Sequence, residues 1–139
     1  MSRLAGLVLR LALGPIFIAH GLPKLQNPGR TAGFFGQLGI PFPEVMVWVV
    51  IAIEVVGGAL LILGLGTRVV ALLMAVEMVF TTLMVRADIG FVAQQGTGAE
   101  LDIAIGAGAL ALALIGPGLL ALDNVLGIEP KPVAATRRA

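Results

Sequence analysis

Three ionisable residues stand inside long apolar stretches of this chain, and they are the first candidates for chemistry. Arg10, Glu54 and Glu77 each have apolar neighbours on both sides. A charged group at the centre of a membrane helix costs at least about 2.5 kcal/mol, so each needs a partner, water or a function. We expect Arg10 to pair with Glu54 or with Glu77, as a functional group or as a buried structural ion pair. Either pairing leaves one acid that is protonated or has another partner.

The first apolar stretch arranges its polar and small residues on one helical stripe. Arg10, Gly14, Phe17, Gly21 and Lys24 follow one another by four, three, four and three positions. At about 100° per residue they fall within about 40° of one line along a helix. Two cations, two glycines and an aromatic ring therefore share a face that we expect to point into a helical bundle.

Two further stretches combine an acid with small residues in the same way. Glu54 shares its face with Gly57 and Gly58, and Asp102 shares its face with small residues at helical spacing: Gly106, Ala109, Ala113 and Gly116. Glu77 is different, because its face carries Met74, Thr81 and Met84. A structural or partner-contact role is therefore favoured for Glu77.

A second polar group is predicted near one membrane surface. His20 and Lys24 lie at the level of Glu100 and Asp102, where they form either a functional cluster or a network of side chains that reach towards the interface. Arg68, at the opposite surface, is interpreted as an interfacial anchor. The catalytic residues themselves stay unknown at this point.

The elements that must position these residues are transmembrane helices. Of 139 residues, 58% are hydrophobic and 12% are charged, too few charges to cover the surface of a soluble domain. Four apolar stretches approach the roughly 20 residues that cross a bilayer; they cover about 4–22, 45–65, 69–85 and 101–122. We predict an all-α integral membrane four-helix bundle, a single membrane domain over 1–139, with a polar C-terminal tail at 127–139. The long first separator has room for a short interfacial segment.

Four crossings place both termini on one side of the membrane. That side holds the larger set of basic residues, namely Arg3, Arg68, Lys131, Arg137 and Arg138, with Arg10 just inside the first helix. The other side holds Lys24, Arg30 and Arg86. The positive-inside bias therefore predicts that both termini are cytoplasmic.

Residue counts exclude several kinds of site. The chain has no cysteine and one histidine, which excludes disulfides, iron–sulfur clusters, c-type haem attachment and any multi-histidine metal centre within the chain. The formal net charge of +1 gives no basic stripe for nucleic acid. We therefore expect no metal, no intrinsic cofactor and no nucleic-acid partner.

A set of short motifs extends over roughly residues 7 to 126: Arg10-x3-Gly14-x2-Phe17-x2-His20-Gly21-x2-Lys24-Leu25, Pro43, Glu54-x2-Gly57-Gly58-x2-Leu61, Leu63-Gly64-x-Gly66-Thr67-Arg68, Glu100, Gly116-Pro117-Gly118 and Leu122-Asp123. Each segment alone is weak, whereas their combination is specific. Together they resemble the motifs of the DoxX family of small bacterial four-helix membrane proteins.

The resemblance implies a cellular location and an association with redox metabolism. It implies a multi-pass protein of the bacterial plasma membrane. The family is similar to DoxD, the membrane part of a thiosulfate:quinone oxidoreductase, and other members resemble partners of enzymes that act in oxidative stress. A membrane subunit associated with redox metabolism that contacts a quinone is thus implied. The matched positions Arg10, His20, Lys24, Glu54 and Arg68 are the residues that can be nominated from it.

Three hypotheses of different classes follow. In the first, the bundle is a redox subunit that holds a quinone headgroup among His20, Lys24, Arg10 and Glu54. In the second, it is a non-enzymatic scaffold that recruits soluble redox enzymes to the lipid bilayer. In the third, it is a small transporter or channel, for which four short helices enclose enough volume only in a homo-oligomer. Small residues such as Ala107 and Ala111 can form a contact between copies.

Overall fold

The computed structural model describes residues 1–129, and every regular element in that part of the chain is helical. The all-α prediction is confirmed for these residues. The elements are α1 (Ser2–Gln26), α2 (Pro28–Gln37), α3 (Pro43–Ile51), a π-helical segment (Ala52–Val56), α4 (Gly57–Leu63), α5 (Thr67–Met84), α6 (Ala99–Ile115) and α7 (Leu122–Val125). Most of the predicted tail at 127–139, including Lys131, Arg137 and Arg138, lies outside the described residues.

Three helical spans are long and apolar enough to cross a membrane. They are Ser2–Gln26, Pro43–Leu63 and Thr67–Met84. The second of them, called here the second span, runs without a break through α3, the π-helical segment and α4. Helix α6 is shorter, at 17 residues, and is rich in Ala, Leu and Ile.

The predicted end of the last helix near residue 122 is wrong. Helix α6 ends at Ile115, because Gly116 and Gly118 adopt positive φ angles of 92° and 75° and Pro117 stands between them. A proline cannot supply the next helical N–H, and the glycines allow the chain to turn. The apolar run continues past this turn, so hydropathy alone overestimated the length of the helix.

The first separator, for which the sequence predicted room for a short interfacial segment, contains the short helix α2. Helix α2 starts at Pro28, and the Asn27 side chain accepts a hydrogen bond from the Arg30 N–H at 3.1 Å. Such a cap with proline in the first turn is favourable at a helix start. Phe35 packs with Val47 in a small apolar cluster that holds α2 against α3.

The helices form a ring with close contacts between small faces. Helix α1 packs against the second span and against α6, while α5 has its most extensive packing with α6. A Cβ atom placed on Gly58 would lie 2.7 Å from the Gly14 carbonyl oxygen, so these glycines allow the two backbones to touch. The predicted inward direction of the stripe through Gly14, Phe17 and Gly21 is confirmed, since all three residues are buried.

Candidate functional site

A cavity of about 500 Å³ lies at the end of the bundle where α1 ends and α6 begins. Its wall is mainly apolar and includes four aromatic rings, those of Phe17, Phe34, Phe35 and Phe80. It also carries seven ionisable residues, which are His20, Lys24, Arg30, Glu54, Glu77, Arg86 and Asp102. The cavity therefore suits a ligand that has a flat apolar body and polar atoms at its edge.

An ion pair joins α1 to the second span at this cavity. Lys24 Nζ lies 2.6 Å from both Glu54 Oε1 and Glu54 Oε2, and it also donates to the His20 carbonyl oxygen at 3.2 Å. Glu54 is almost fully buried, whereas about a quarter of the Lys24 side chain is exposed. The partner of Glu54 is therefore a lysine at the helix end and not Arg10, which corrects one form of the predicted ion pair.

Glu54 reaches the cavity from the π-helical segment. A π-helical turn inside an α-helix shifts side chains relative to a regular helix and is frequent at functional sites. A Cβ atom on Gly21 would lie 2.8 Å from the Glu54 Cβ, so only a glycine lets α1 approach this turn. Gly21 thus lets α1 come close enough to the π-helical segment for Lys24 and Glu54 to form an ion pair.

A second ion pair at the cavity joins the turn after α5 to α6. Arg86 Nε lies 3.3 Å from Asp102 Oδ2, and Arg86 Nη1 donates to the Thr97 carbonyl oxygen at 2.9 Å. From the sequence, Arg86 was counted only among the basic residues that predict the orientation of the chain in the membrane. Its position just after an apolar stretch and one loop away from the acid of α6 is the signal that could have revealed this pair.

The predicted grouping of His20 and Lys24 with Asp102 and Glu100 is only partly seen in the structure. His20, Lys24 and Asp102 all line the cavity, but Glu100 does not. The Glu100 Oε1 atom accepts a hydrogen bond from the Gly98 N–H at 3.3 Å, at the start of α6. Glu100 thus contributes to the local geometry of the loop that precedes α6.

Glu77 is the buried acid of the cavity that has a free oxygen. Its side chain is only 8% exposed, and no donor reaches Oε2. It lies one helical turn before Thr81, whose hydroxyl donates to the Glu77 carbonyl oxygen at 3.0 Å. The sequence favoured a structural or contact role for Glu77; the structure places its side chain in the same cavity as Glu54.

Arg10 lies at the opposite end of the bundle and bonds only to backbone carbonyls. Its guanidinium donates to five oxygens at 2.7 to 3.2 Å, those of Leu61, Ile62, Pro117, Leu119 and Leu120. The predicted ion pair of Arg10 with Glu54 or Glu77 is therefore wrong. Carbonyls in the last turn of a helix and in an irregular turn lack some or all of their helical donors, and a guanidinium has five N–H groups to bond them. The Leu61 oxygen also accepts from the Gly64 N–H at 3.0 Å.

Arg68 and Asp123 complete this end of the molecule. Arg68 donates to the Ala113 and Leu114 carbonyl oxygens at 2.7 and 2.8 Å and pairs with Glu129 at 2.7 Å. The Asp123 carboxylate accepts from the Gly66 and Thr67 N–H groups at 2.7 and 2.9 Å. The sequence carried no spacing signal for Asp123, because its partners are more than 50 positions away.

We call this end, with Arg10, Arg68 and Asp123, the closed end, and the end with the cavity the open end. The distance along α1 between Arg10 and Lys24 is about 21 Å at the usual rise per residue. The nominated residues thus divide into two groups: His20, Lys24, Glu54, Glu77 and Asp102 share the cavity, whereas Arg10 and Arg68 do not.

Comparison with known proteins agrees with the motifs. A family model described as DoxX matches residues 5–87, more than half of the chain. The chain is 38% identical over 117 residues to the Bacillus subtilis protein named "Putative oxidoreductase CatD", with 84% of this chain and 83% of the relative covered. It is 32% identical over 127 residues to the inner membrane protein YphA of Escherichia coli, with 85% and 87% covered.

A third relative is the uncharacterized membrane protein Rv3486 of Mycobacterium tuberculosis. It is 31% identical over 128 residues, with 85% of this chain and 78% of the relative covered. No solved structure matches the chain significantly. The family model and these relatives, each aligned over most of its length, lead to one conclusion: the chain belongs to the DoxX family.

Proposed function

We propose that this protein is a membrane subunit of redox metabolism that binds the ring of a lipid-borne quinone in the cavity at the open end. The observation that carries the proposal is a cavity of about 500 Å³ in which an aromatic wall surrounds Lys24, Glu54 and Glu77. The name of the Bacillus subtilis relative, "Putative oxidoreductase CatD", points in the same direction.

The cavity fits this ligand class in size and chemistry. Small-molecule sites range from about 300 to 1,000 Å³ and combine apolar walls with a few polar groups. Phe17 and Phe35 line the cavity, and aromatic rings stack favourably in offset or tilted arrangements. The carbonyl oxygens of a quinone need hydrogen-bond donors, which Lys24 and His20 can provide.

Each residue has a separate part in this proposal. A bound quinone supplies the capacity to accept and release electrons, which the side chains of this chain lack. Lys24 Nζ donates a hydrogen bond to the ligand in place of its longer, 3.2 Å contact with the His20 carbonyl oxygen, while Glu54 keeps that ammonium in place and offsets its charge. His20, which is exposed at the cavity rim, is a second donor or acceptor.

The rim of the cavity has an apolar side suited to an isoprenoid tail. Ile16, Phe34 and Phe80 line the cavity and are also partly exposed at the surface of the helices, by 37%, 44% and 39%. An apolar residue that contacts both the cavity and the surrounding lipid permits a tail to leave sideways. A quinone therefore reaches the site from the bilayer.

We infer that the chain crosses the bacterial plasma membrane four times with both termini in the cytoplasm. Helix α6, at about 26 Å, is slightly shorter than a hydrocarbon core of about 30 Å and is the fourth crossing. The terminal side has the larger number of basic residues, as the positive-inside rule requires. The cavity then opens in the outer half of the membrane.

This orientation is tested with single cysteines, because the chain has none of its own. Ser2→Cys and Asp88→Cys mark the two sides, and both positions are exposed. We expect a membrane-impermeant maleimide to label Asp88→Cys in intact cells and Ser2→Cys only after the membrane is opened. The reverse pattern would contradict the proposed orientation.

Electrons must pass to or from a second molecule, since this chain has no cysteine and one histidine to hold a redox centre of its own. We therefore expect a soluble redox enzyme to associate with the membrane subunit. Purification in mild detergent, followed by mass spectrometry of polypeptides and extractable small molecules, identifies it. A stoichiometric enzyme without any quinone would instead favour the scaffold hypothesis.

The experiment that tests the ligand is equilibrium binding of decylubiquinone to the purified protein in lipid nanodiscs. We expect one saturable site and at least a tenfold loss of affinity in Lys24→Met, which removes a donor from the wall. The matched control is Arg3→Gln, because Arg3 is an exposed cation of the closed end. Absence of saturable binding to the unaltered protein would overturn the proposal.

A further inference from the structure

We propose that Glu77, and not Glu54, is the carboxyl group that hydrogen-bonds the ligand, as a donor to its oxidised form and as an acceptor from its reduced form. This inference rests on the proposed function, since it takes the ligand to be a quinone. Glu54 is assigned the part of a positioning residue that acts through Lys24. The two acids lie in the same cavity, and the difference between them is in their partners.

The first observation is the free oxygen of Glu77. In the part of the chain that the structure describes, three buried side-chain oxygens lack a hydrogen-bond partner, and they belong to Thr67, Glu77 and Glu100. Among these three residues only Glu77 lines the cavity. Leaving a buried polar atom unpaired is costly, and such atoms in native proteins are nearly always satisfied by something. A ligand in the cavity is placed to do this for Glu77.

The second observation is that Glu54 is already satisfied. Both of its carboxylate oxygens lie 2.6 Å from Lys24 Nζ. A ligand that bonded to Glu54 would compete with this charge-assisted contact. Glu54 therefore fixes the position of the Lys24 ammonium, and the ligand meets the lysine and not the carboxylate behind it.

The chemistry of the two redox forms assigns a protonation state to Glu77. A quinone carbonyl can only accept a hydrogen bond, so Glu77 must carry the proton on Oε2 when it bonds to the oxidised form. A hydroquinone hydroxyl can donate, so an ionised Glu77 can accept from the reduced form. Binding of the oxidised form is thus coupled to one proton on Glu77, and no electron moves in this step.

Other titratable groups face Glu77 across the cavity. They are His20 and Lys24 from α1, Arg30 from α2, Glu54 from the π-helical segment, Arg86 from the turn after α5 and Asp102 from α6. Lys24 and Arg86 are engaged in ion pairs with Glu54 and Asp102. The effect of Glu77 on pH dependence must therefore be read as a difference between the unaltered protein and a variant at this one position.

The test is the pH dependence of binding of decylubiquinone and of decylubiquinol in lipid nanodiscs, from about pH 6 to about pH 9. We expect the affinity of the unaltered protein for decylubiquinone to fall as pH rises, approaching tenfold per pH unit where Glu77 loses its proton. The affinity for decylubiquinol should not fall in this way.

Two glutamate-to-glutamine variants make the comparison specific. In Glu77→Gln the amide can donate to a carbonyl at every pH, so we expect decylubiquinone binding without the pH slope. Glu100→Gln is the matched control, because Glu100 also has a buried oxygen without a partner but lies outside the cavity. It should keep the slope of the unaltered protein.

A third variant separates the proposed role of the Glu77 carboxyl group in ligand binding from a role in folding. Glu77→Asp keeps a carboxyl group with a shorter reach, so we expect weaker binding that retains the pH slope. A Glu77→Gln protein that binds decylubiquinone with the unaltered slope would overturn the assignment of Glu77, and so would a Glu77→Asp protein that binds without it. Absence of binding of both probes to the unaltered protein would instead overturn the proposed function itself.

Discussion

At the closed end Arg10 has five hydrogen bonds to backbone oxygens, whereas at the open end Glu77 has an oxygen with no donor at all. Both side chains are buried in a part of the molecule built from apolar helices. On the proposed assignment of the site, burial of an ionisable residue in a membrane protein does not by itself mark a functional site. The completeness of its hydrogen bonding separates an arginine that joins helices from an acid that is available to a ligand.

The same contrast holds for the way the helices are joined. At the closed end Arg10 connects α1 both to α4 and to the turn after α6, and Asp123 connects that region to the start of α5. At the open end the Lys24–Glu54 pair joins α1 to the second span, and the Arg86–Asp102 pair joins the turn after α5 to α6. One ion pair thus belongs to α1 and the second span, and the other belongs to the α5–α6 side of the ring. The cavity lies between these two sides.

The largest loss of stability is expected when Arg10, at the closed end, is removed. In Arg10→Met five carbonyl oxygens lose a hydrogen bond from the guanidinium, and of these the Leu61 oxygen keeps the Gly64 N–H as a donor. We expect a loss of about 3 to 5 kcal/mol in the free energy of unfolding. Unfolding in detergent, followed by circular dichroism, measures it. Arg3→Gln is the control and should change stability little, since Arg3 is exposed. Equal stability of the two variants would contradict a structural role for Arg10.

The next largest loss of stability is expected when the contact between Gly14 of α1 and Gly58 of the second span is disrupted. In Gly58→Ala a Cβ atom would lie 2.7 Å from the Gly14 carbonyl oxygen, so the two helices must separate, at a cost of about 2 kcal/mol. The matched control is Gly33→Ala in α2, where no atom lies within 4 Å of the new Cβ. Thermal unfolding in detergent should show a lower midpoint for Gly58→Ala alone. A midpoint as low for Gly33→Ala would argue against a specific contact.

The ion pair of the open end should matter less for stability than for binding. Glu54→Gln leaves a lysine that is partly exposed, so we expect a loss of about 1 kcal/mol, well below that of Arg10→Met. Decylubiquinone affinity should nevertheless fall several-fold, because the ammonium is no longer held in place. Glu44→Gln, at an exposed acid outside this cavity, is the control for both measurements. A stability loss as large as that of Arg10→Met would remove the distinction between the two ends.

The smallest loss of stability is expected when the Arg86–Asp102 ion pair of the open end is removed. Arg86 is partly exposed and its contact with Asp102 is 3.3 Å, so Arg86→Gln should cost about 0.5 kcal/mol. Arg86 also holds the loop before α6 through the Thr97 carbonyl oxygen. Limited proteolysis should therefore show faster cleavage between α5 and α6 in this variant. An unchanged rate of cleavage would mean that contacts other than those of Arg86 hold this loop in place.

Sequence patterns predicted the apolar helices and the faces that point inward. Hydropathy and the spacing of Gly14, Phe17 and Gly21 are local properties, and helical periodicity turns them into a face without knowledge of the partner helix. The end of α6 was not predicted correctly, because Gly116 and Pro117 stop the helix while the apolar run continues.

The partners of the charged residues could be predicted much less well. The acceptors of Arg10 are backbone oxygens, which every residue carries, so no residue type in the sequence reveals them. The Lys24–Glu54 contact depends on the π-helical turn and on the close approach at Gly21, and both result from packing. The sequence therefore indicated which residues are unusual but not which of them meet.

The measurement that tests the contrast between the two ends most directly is photolabelling of membranes with an azidoquinone, followed by mass spectrometry of the labelled peptides. We expect label on peptides that form the open end, from the second half of α1, α2, the second half of α5 and the first turns of α6, and we expect excess decylubiquinone to remove it. Label on the turn after α6, beside Arg10, or label that decylubiquinone does not displace, would contradict a quinone site at the open end.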